Sequence, residues 1–332
     1  MKRTHATQRA LIVRGGLTMR RPRTPALFAV VLALALGFAA TSGRPAYAVG
    51  SQIRTFVAST GSDANPCSRV APCRTFGAAL AQTASGGEIV ALDSGGYGAV
   101  VINQAVTIVA APGIQASISP SSGTAITVDA GPSDVVVLRN LYLNAQGGEN
   151  GVRYLGAAAL HVEQLVINGF TNAGIWMILL TTASDLYVAD TIIRNSGSSG
   201  IQLSSASGVA DVSIVRTRLE HNFFGVWADA NVRASIKDTI ASGNGGAGFI
   251  ASSGSSPVEL NLEGCVASGN TVGIQASSFS STATVRVSNC SVTGNADGIV
   301  AGTNGSILSR SNNTVEGNTA SDGAFSGTYT AK

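Results

Sequence analysis

From Val135 onward, apolar residues recur at positions i, i+2 and i+7, followed by an asparagine near i+9 and a Gly-apolar pair near i+14. The triplets are Val135, Val137, Tyr142; Leu160, Val162, Ile167; Leu186, Val188, Ile193; Val212, Ile214, Leu219; Ala234, Ile236, Ala241; Leu260, Leu262, Ala267; and Val285, Val287, Val292. Their starts advance by 25, 26, 26, 22, 26 and 25 residues. The i, i+2 step is the strand period, which sends alternate side chains to one face. The pairs Gly151-Val152, Gly174-Ile175, Gly200-Ile201, Gly225-Val226, Gly248-Phe249, Gly273-Ile274 and Gly298-Ile299 open a third strand in each unit. Three short strands cannot close a core by themselves, so successive units must stack as coils of a solenoid. The pattern predicts a parallel β-helix. A β-sandwich would show hairpin turns and no long-range phase.

Asn144, Asn168, Asn195, Asn222, Asn244, Asn270, Asn295 and Asn318 occupy the turn slot. Asparagine tolerates left-handed backbone, and stacked amides can form ladders, so these residues read as structural. An eighth repeat, with Leu308, Arg310 and Val315, brings a charge to the second inward slot and marks the decay of the stack.

The segment 55–109 adds the other end of the solenoid. It contains a G-x-D-x-N-P-C turn (Gly61, Asp63, Asn65, Pro66, Cys67) and then Pro72-Cys73-Arg74-Thr75-Phe76 before an Ala-rich run. A first coil follows from Gly86. With these features the chain resembles the right-handed parallel β-helix proteins of the pectin-lyase-like superfamily, and more closely their secreted bacterial members. The resemblance implies an all-β right-handed solenoid with a short N-terminal capping helix. It also implies a ligand site along the outer face of one stacked sheet. That superfamily includes lyases, hydrolases, epimerases and proteins without demonstrated activity. The lyases' calcium-binding acidic cluster and the hydrolases' N-T-D, D-D, G-H-G and R-I-K motifs have no counterpart here. Calcium is therefore expected as a cofactor only if the chain is a lyase, and no other cofactor is expected.

Charge changes the picture at the amino terminus. The formal net charge is +3, yet residues 1–48 contain no acid and eight bases, followed by an apolar run from Ala26 to Ala40 and an Ala46-Tyr47-Ala48 cleavage pattern. This reads as a signal peptide, with Met19 as an alternative start. Without it, 13 bases face 18 acids, a formal charge of −5. That charge does not recruit nucleic acid or anionic membranes. The expected layout is a leader over 1–48, an entrance strand, Cys loop and helix over 49–85, coils over 86–319, and a tail or cap over 320–332. A secreted, periplasmic or cell-surface location without a membrane span follows.

The first strand of each unit supplies the candidate chemistry. Its outward positions are i+1 (Val136, His161, Tyr187, Ser213, Ser235, Asn261, Arg286) and i+3 (Leu138, Glu163, Ala189, Val215, Lys237, Glu263, Ser288). The bend at i+4 carries Arg139, Gln164, Asp190, Arg216, Asp238, Gly264 and Asn289. Asp190 and Asp238, two coils and so roughly 9.6 Å apart, could act as an inverting hydrolase pair. Arg216 between them instead predicts an ion-pair column that holds both acids ionised. His161, Glu163 and Tyr187, and the patch of Lys237, Glu263 and Arg286, are candidate ligand contacts. No zinc spacing, EF-hand loop, G-x-S-x-G elbow, P-loop or basic stripe is present. Cys67 and Cys73 are expected to form a local disulfide. Cys265 and Cys290, at i+5 of consecutive coils, fit either a disulfide or two reduced core residues. Two functions stay open: a non-catalytic glycan-binding or envelope component, and a polysaccharide lyase or glycoside hydrolase acting on an acidic polysaccharide.

Overall fold

The computed structural model describes residues 50–179, 184–206, 208–254 and 256–330. The leader and its cleavage site lie outside these residues. The described chain is a right-handed parallel β-solenoid whose strands form three parallel sheets of twelve, ten and nine strands. One coil shows the order. Asp185–Ala189 lies in the first sheet, Ile192–Arg194 in the second and Ser199–Ser205 in the third, and Ala210–Val215 then returns to the first.

A short helix, Phe76–Gln82, sits before the first full coil and buries Phe76, Ala79 and Leu80. Its start is fixed by side chains. Thr75 Oγ1 accepts from the Ala78 amide, while Asp63 accepts from the amides of Arg74 and Thr75 and from the Thr75 hydroxyl. The Cys67–Cys73 disulfide, with Cα atoms 4.5 Å apart, closes the loop between Asp63 and the helix start at Arg74 and Thr75. At the other end, residues Gly327–Thr328 pair with the strand Gly305–Ser309, and Asp322 accepts from the amide and side chain of Asn318.

The inward positions form one continuous apolar core, and the six triplets from Leu160 to Val292 are buried as expected. Two repeats need correction. In the first, Val136 and Leu138 face inward and pair with Leu160 and Val162, while Val135 is 44% exposed. The parity follows from the left-handed bend at Asn140, which aligns with Gln164 at the next bend. Arg139 therefore sits at i+3 opposite Glu163 and not in the bend. In the last repeat, Ile307 and Ser309 pair with Val285 and Val287 and face inward. Arg310 is exposed, so no charge enters the core.

The asparagines form two ladders. Asn222, Asn244, Asn270, Asn295 and Asn318 stack inside the turn: each backbone amide and side-chain amide of one donates to Oδ1 of the next. Each Nδ2 also donates to a carbonyl of the preceding coil, as Asn244 does to Leu219. Asn144, Asn168 and Asn195 instead form an outer ladder. Asn195 aligns with the left-handed column of His221, Gly243 and Gly269, one residue before the inner ladder.

The glycines that open the third strand serve close approach. An added Cβ on Gly225 would lie 2.3 Å from the Gly248 carbonyl oxygen, and the same clash recurs up the column. Thr191, Thr217, Thr239, Cys265 and Cys290 form another buried column in which each hydroxyl or thiol donates to the carbonyl two residues earlier. Cys265 and Cys290 are free thiols here. The Cys290 contact and burial raise the pKa of Cys265.

Two outcomes test this packing. Asn244→Ala strands the buried Asn222 donors on one side and takes the Nδ2 donor from the Leu219 carbonyl and Asn270 Oδ1 on the other. It is expected to cost about 2–4 kcal/mol, whereas Asn168→Ala on the outer ladder costs below about 1. Urea midpoints of the two variants read the difference. A thiol reagent is expected to find no reactive cysteine in the native chain and two after unfolding without reductant. None after unfolding would mean that Cys265 and Cys290 are bonded.

Candidate functional site

The outer face of the first sheet carries most of the charge. His161, Tyr187, Ser213, Ser235, Asn261 and Arg286 lie in one column, strand against strand. His161 stacks on Tyr187 with ring centroids 4.6 Å apart. Glu163 lies 3.9 Å from His161 Nδ1 but gives its other oxygen to Arg139 Nε at 2.7 Å. Lys237 and Glu263 are cross-strand partners. Arg286 turns away from them, donating to Glu259 at 2.9 Å and to Asn261 at 3.3 Å.

The bend column is set by backbone geometry. Asp190, Arg216 and Asp238 all adopt positive φ, at 51°, 47° and 50°, like the bend residues of neighbouring coils. Arg216 is bidentate to Asp190 at 2.7 and 2.8 Å. Those hydrogen bonds hold the Asp190 carboxyl below the usual range. Asp238 feels Arg216 only at longer range. The arginine therefore neutralises one acid directly and not both, and a carboxylate held ionised in this way cannot supply the proton a general acid needs.

Reading the first strand at three outward positions missed a fourth, i−1, which holds Asp185, Asp211, Arg233 and Glu259. Arg233 is bidentate to Asp211 at 2.7 and 2.9 Å, which lowers the Asp211 pKa. Asp185 raises the pKa of Tyr187, whose hydroxyl donates to it at 3.3 Å. A concavity of about 260 Å³ lies among Tyr187, Asp211, Ser213, Arg233, Ser235 and Asn261. Its charged groups are thus largely spent on one another.

The third sheet has a different outer face. Arg153, Trp176, Gln202, Trp227, Ile250 and Gln275 form one column in register. The chain has two tryptophans, and both are here, two coils or roughly 9.6 Å apart. The Arg153 guanidinium lies over the Trp176 ring, 5.2 Å from its centroid. Phe224 packs edge-on against Trp227 at 5.4 Å, and Phe223 against Phe224 at 4.6 Å, extending the aromatic surface. Asp229 follows two residues after Trp227, and burial raises its carboxyl pKa against a lowering bond from the Gly254 amide. The signal was readable: the residue after each Gly-apolar pair must point outward.

Among the described residues, no three His, Cys, Asp or Glu side chains converge to hold a metal ion. On the first sheet Glu163, Asp190, Asp211 and Glu259 are each partnered by an arginine.

Substituting Arg216 tests the bend pair. The Asp190 pKa is lowered in the folded chain, so its contribution to stability is present above the unfolded pKa and lost as pH falls through the folded value. Arg216→Ala is expected to return Asp190 toward an ordinary aspartate titration, read by carboxyl NMR, and to flatten that acid-side loss.

Comparison with known proteins agrees with this architecture. The solved structure of pectate lyase Pel9A superposes with a TM-score of 0.50 at 16% identity, over 80% of each chain. A rhamnogalacturonan lyase matches at TM-score 0.34 and 13% identity, over 78% of this chain and 67% of its own. None of the curated protein sequences matches. The right-handed β-helix region family matches residues 133–288 and 177–320, which span the stacked columns of all three sheets, and the chain belongs to that family.

Proposed function

We propose that the chain is an exported, non-catalytic glycan-binding protein that holds an extended polysaccharide along the outer face of the third sheet. The observation that carries this reading is the pair of tryptophans in one column, separated by two coils with Gln202 between them. An indole offers a flat apolar surface to the C–H face of a sugar ring, while a neighbouring amide satisfies its hydroxyls. The rise between alternate coils is comparable to the length of two linked sugar residues, so a chain parallel to the solenoid axis meets a ring at each platform. The fold shared with a protein named pectate lyase supports a polysaccharide partner.

Export is supported by the basic, apolar and Ala-x-Ala leader and by the Cys67–Cys73 disulfide. Among the described residues, no helix is long and apolar enough to cross a membrane. The partner is an envelope or extracellular glycan in this reading.

A carbohydrate-active enzyme is the second reading, and one observation favours it. Asp229 is a half-buried carboxyl beside the aromatic column with a raised pKa, the property a general acid needs. It lacks a second carboxylate among the residues described in that column, and the binding reading needs none.

Because both tryptophans lie at the site, indole fluorescence reports on it directly. A panel of plant and bacterial polysaccharides is expected to include at least one that shifts or quenches the emission. Trp176→Ala or Trp227→Ala should weaken that binding by about tenfold or more, the scale of a lost aromatic anchor. Absence of any response across the panel overturns the proposal. Release of sugar products that Asp229→Asn abolishes would replace it with the enzyme reading.

A further inference from the structure

The outer face of the second sheet holds a concavity of about 310 Å³, lined by polar side chains together with Leu143 and Val166 and free of acids. Two columns build it. Ser117, Tyr142 and Val166 stand in register, and beside them run Asn144, Asn168 and Arg194. Gln115 also lines it. The volume lies at the lower end of the range for small-molecule sites, which suits one or two sugar rings.

Charge sets this site apart from the first sheet. Arg139, Arg216, Arg218, Arg233 and Arg286 are each held by a carboxylate, and Arg153 lies on an aromatic ring. Arg194 makes no side-chain ion pair or hydrogen bond with a described residue. The acid beside it in the column is Glu220. Oε1 of that carboxylate accepts from Arg218, through both Nε at 2.8 Å and a second guanidinium nitrogen. Arg194 therefore brings a guanidinium with five donors and no described side-chain partner to the edge of the hollow.

The outer asparagine ladder supplies the complementary groups. Asn195 donates to Asn168 and Asn168 donates to Asn144, so the Asn144 side-chain N–H groups remain at the end of the ladder with no described acceptor. The hydroxyls of Ser117 and Tyr142 likewise make no hydrogen bond with a described residue. A guanidinium prefers a planar carboxylate, which it can meet with two parallel bonds. Amides and hydroxyls suit ring hydroxyls, and the Tyr142 ring offers an apolar wall.

We propose that this hollow binds a carboxylated sugar, a hexuronate, with Arg194 on the carboxylate and Asn144, Ser117 and Tyr142 around the ring. The site is on a different sheet from the tryptophan column, so it stands whether or not that column binds glycan. The ligand is either a free hexuronate or a uronate residue of a polymer, since both present the same group.

Calorimetric titration of the full chain with galacturonate, galactose and a galacturonate oligomer tests the proposal. Galacturonate is expected to bind in the millimolar range and galactose about tenfold more weakly, the difference one charge-assisted bond makes. Arg194→Gln should remove that preference and weaken galacturonate about tenfold, while Arg310→Gln, at an exposed arginine outside both sites, leaves it unchanged. Oligomer binding tighter than monomer, and equally sensitive to Arg194→Gln, assigns the site to a polymer; equal affinities assign it to the free sugar. Tyr142→Phe, which keeps the ring, should weaken both sugars alike, and an unchanged circular dichroism spectrum checks that each variant keeps the fold. No galacturonate binding at roughly 10 mM, or binding within twofold of wild type in Arg194→Gln, overturns the proposal.

Discussion

The constraint on which the rest of the structure depends is the satisfaction of backbone and turn groups by the coil next door. A coil has no partner for its outward-running N–H and C=O groups except the same positions one coil away, some 4.8 Å along the axis. Everything that recurs in the sequence answers that demand. The inner asparagines bond amide to amide from coil to coil and end on Asp322, whose carboxylate accepts where no further asparagine follows. The threonine and cysteine column repeats one hydrogen bond with oxygen or sulfur. The glycine column keeps the turn close enough for the third strands to pair.

That logic explains what was legible in the sequence. Period, sheet order and the buried triplets from Leu160 to Val292 followed from alternation alone, because a wrong parity there would expose apolar side chains. The phase failed at the ends, where the pattern is degenerate. In Val135-Val136-Val137-Leu138, either parity is apolar, and the bend at Asn140 decides between them. At Leu308 and Arg310 the inward residues include Ser309, so hydrophobicity no longer marks the face. Asn195 has the right type one residue away from the inner ladder, a distinction of backbone conformation that composition does not carry.

The candidate sites were legible in a different measure. The residues of the first sheet were placed on the correct face from Leu160 onward, but their chemistry depended on which neighbour each charge chose. Arg216 spends both donors on Asp190, and Arg286 chooses Glu259 over Glu263. Such choices turn on side-chain reach across a flat face, where several partners lie at similar distance. The tryptophan column obeyed the same alternation and could be read from the residue after each Gly-apolar pair. Its residues carry little charge, so a search for titratable groups, which cluster on the first strand, does not reach them.

Stacking also dictates what kind of site a solenoid offers. Each exterior position becomes a column, so unlike charges on successive coils neutralise one another, as along Asp211, Arg233 and Glu259. A column can bind a ligand only where this cancellation is interrupted. The third sheet interrupts it with aromatic and amide side chains, which have no net charge to cancel. The second sheet interrupts it because Arg218 captures Glu220 within its own strand and leaves Arg194 unmatched. Specificity in such a fold therefore depends less on the shape of a pocket than on which coil breaks the pattern. The fixed rise per coil sets the spacing at which a long, repeating ligand can be recognised.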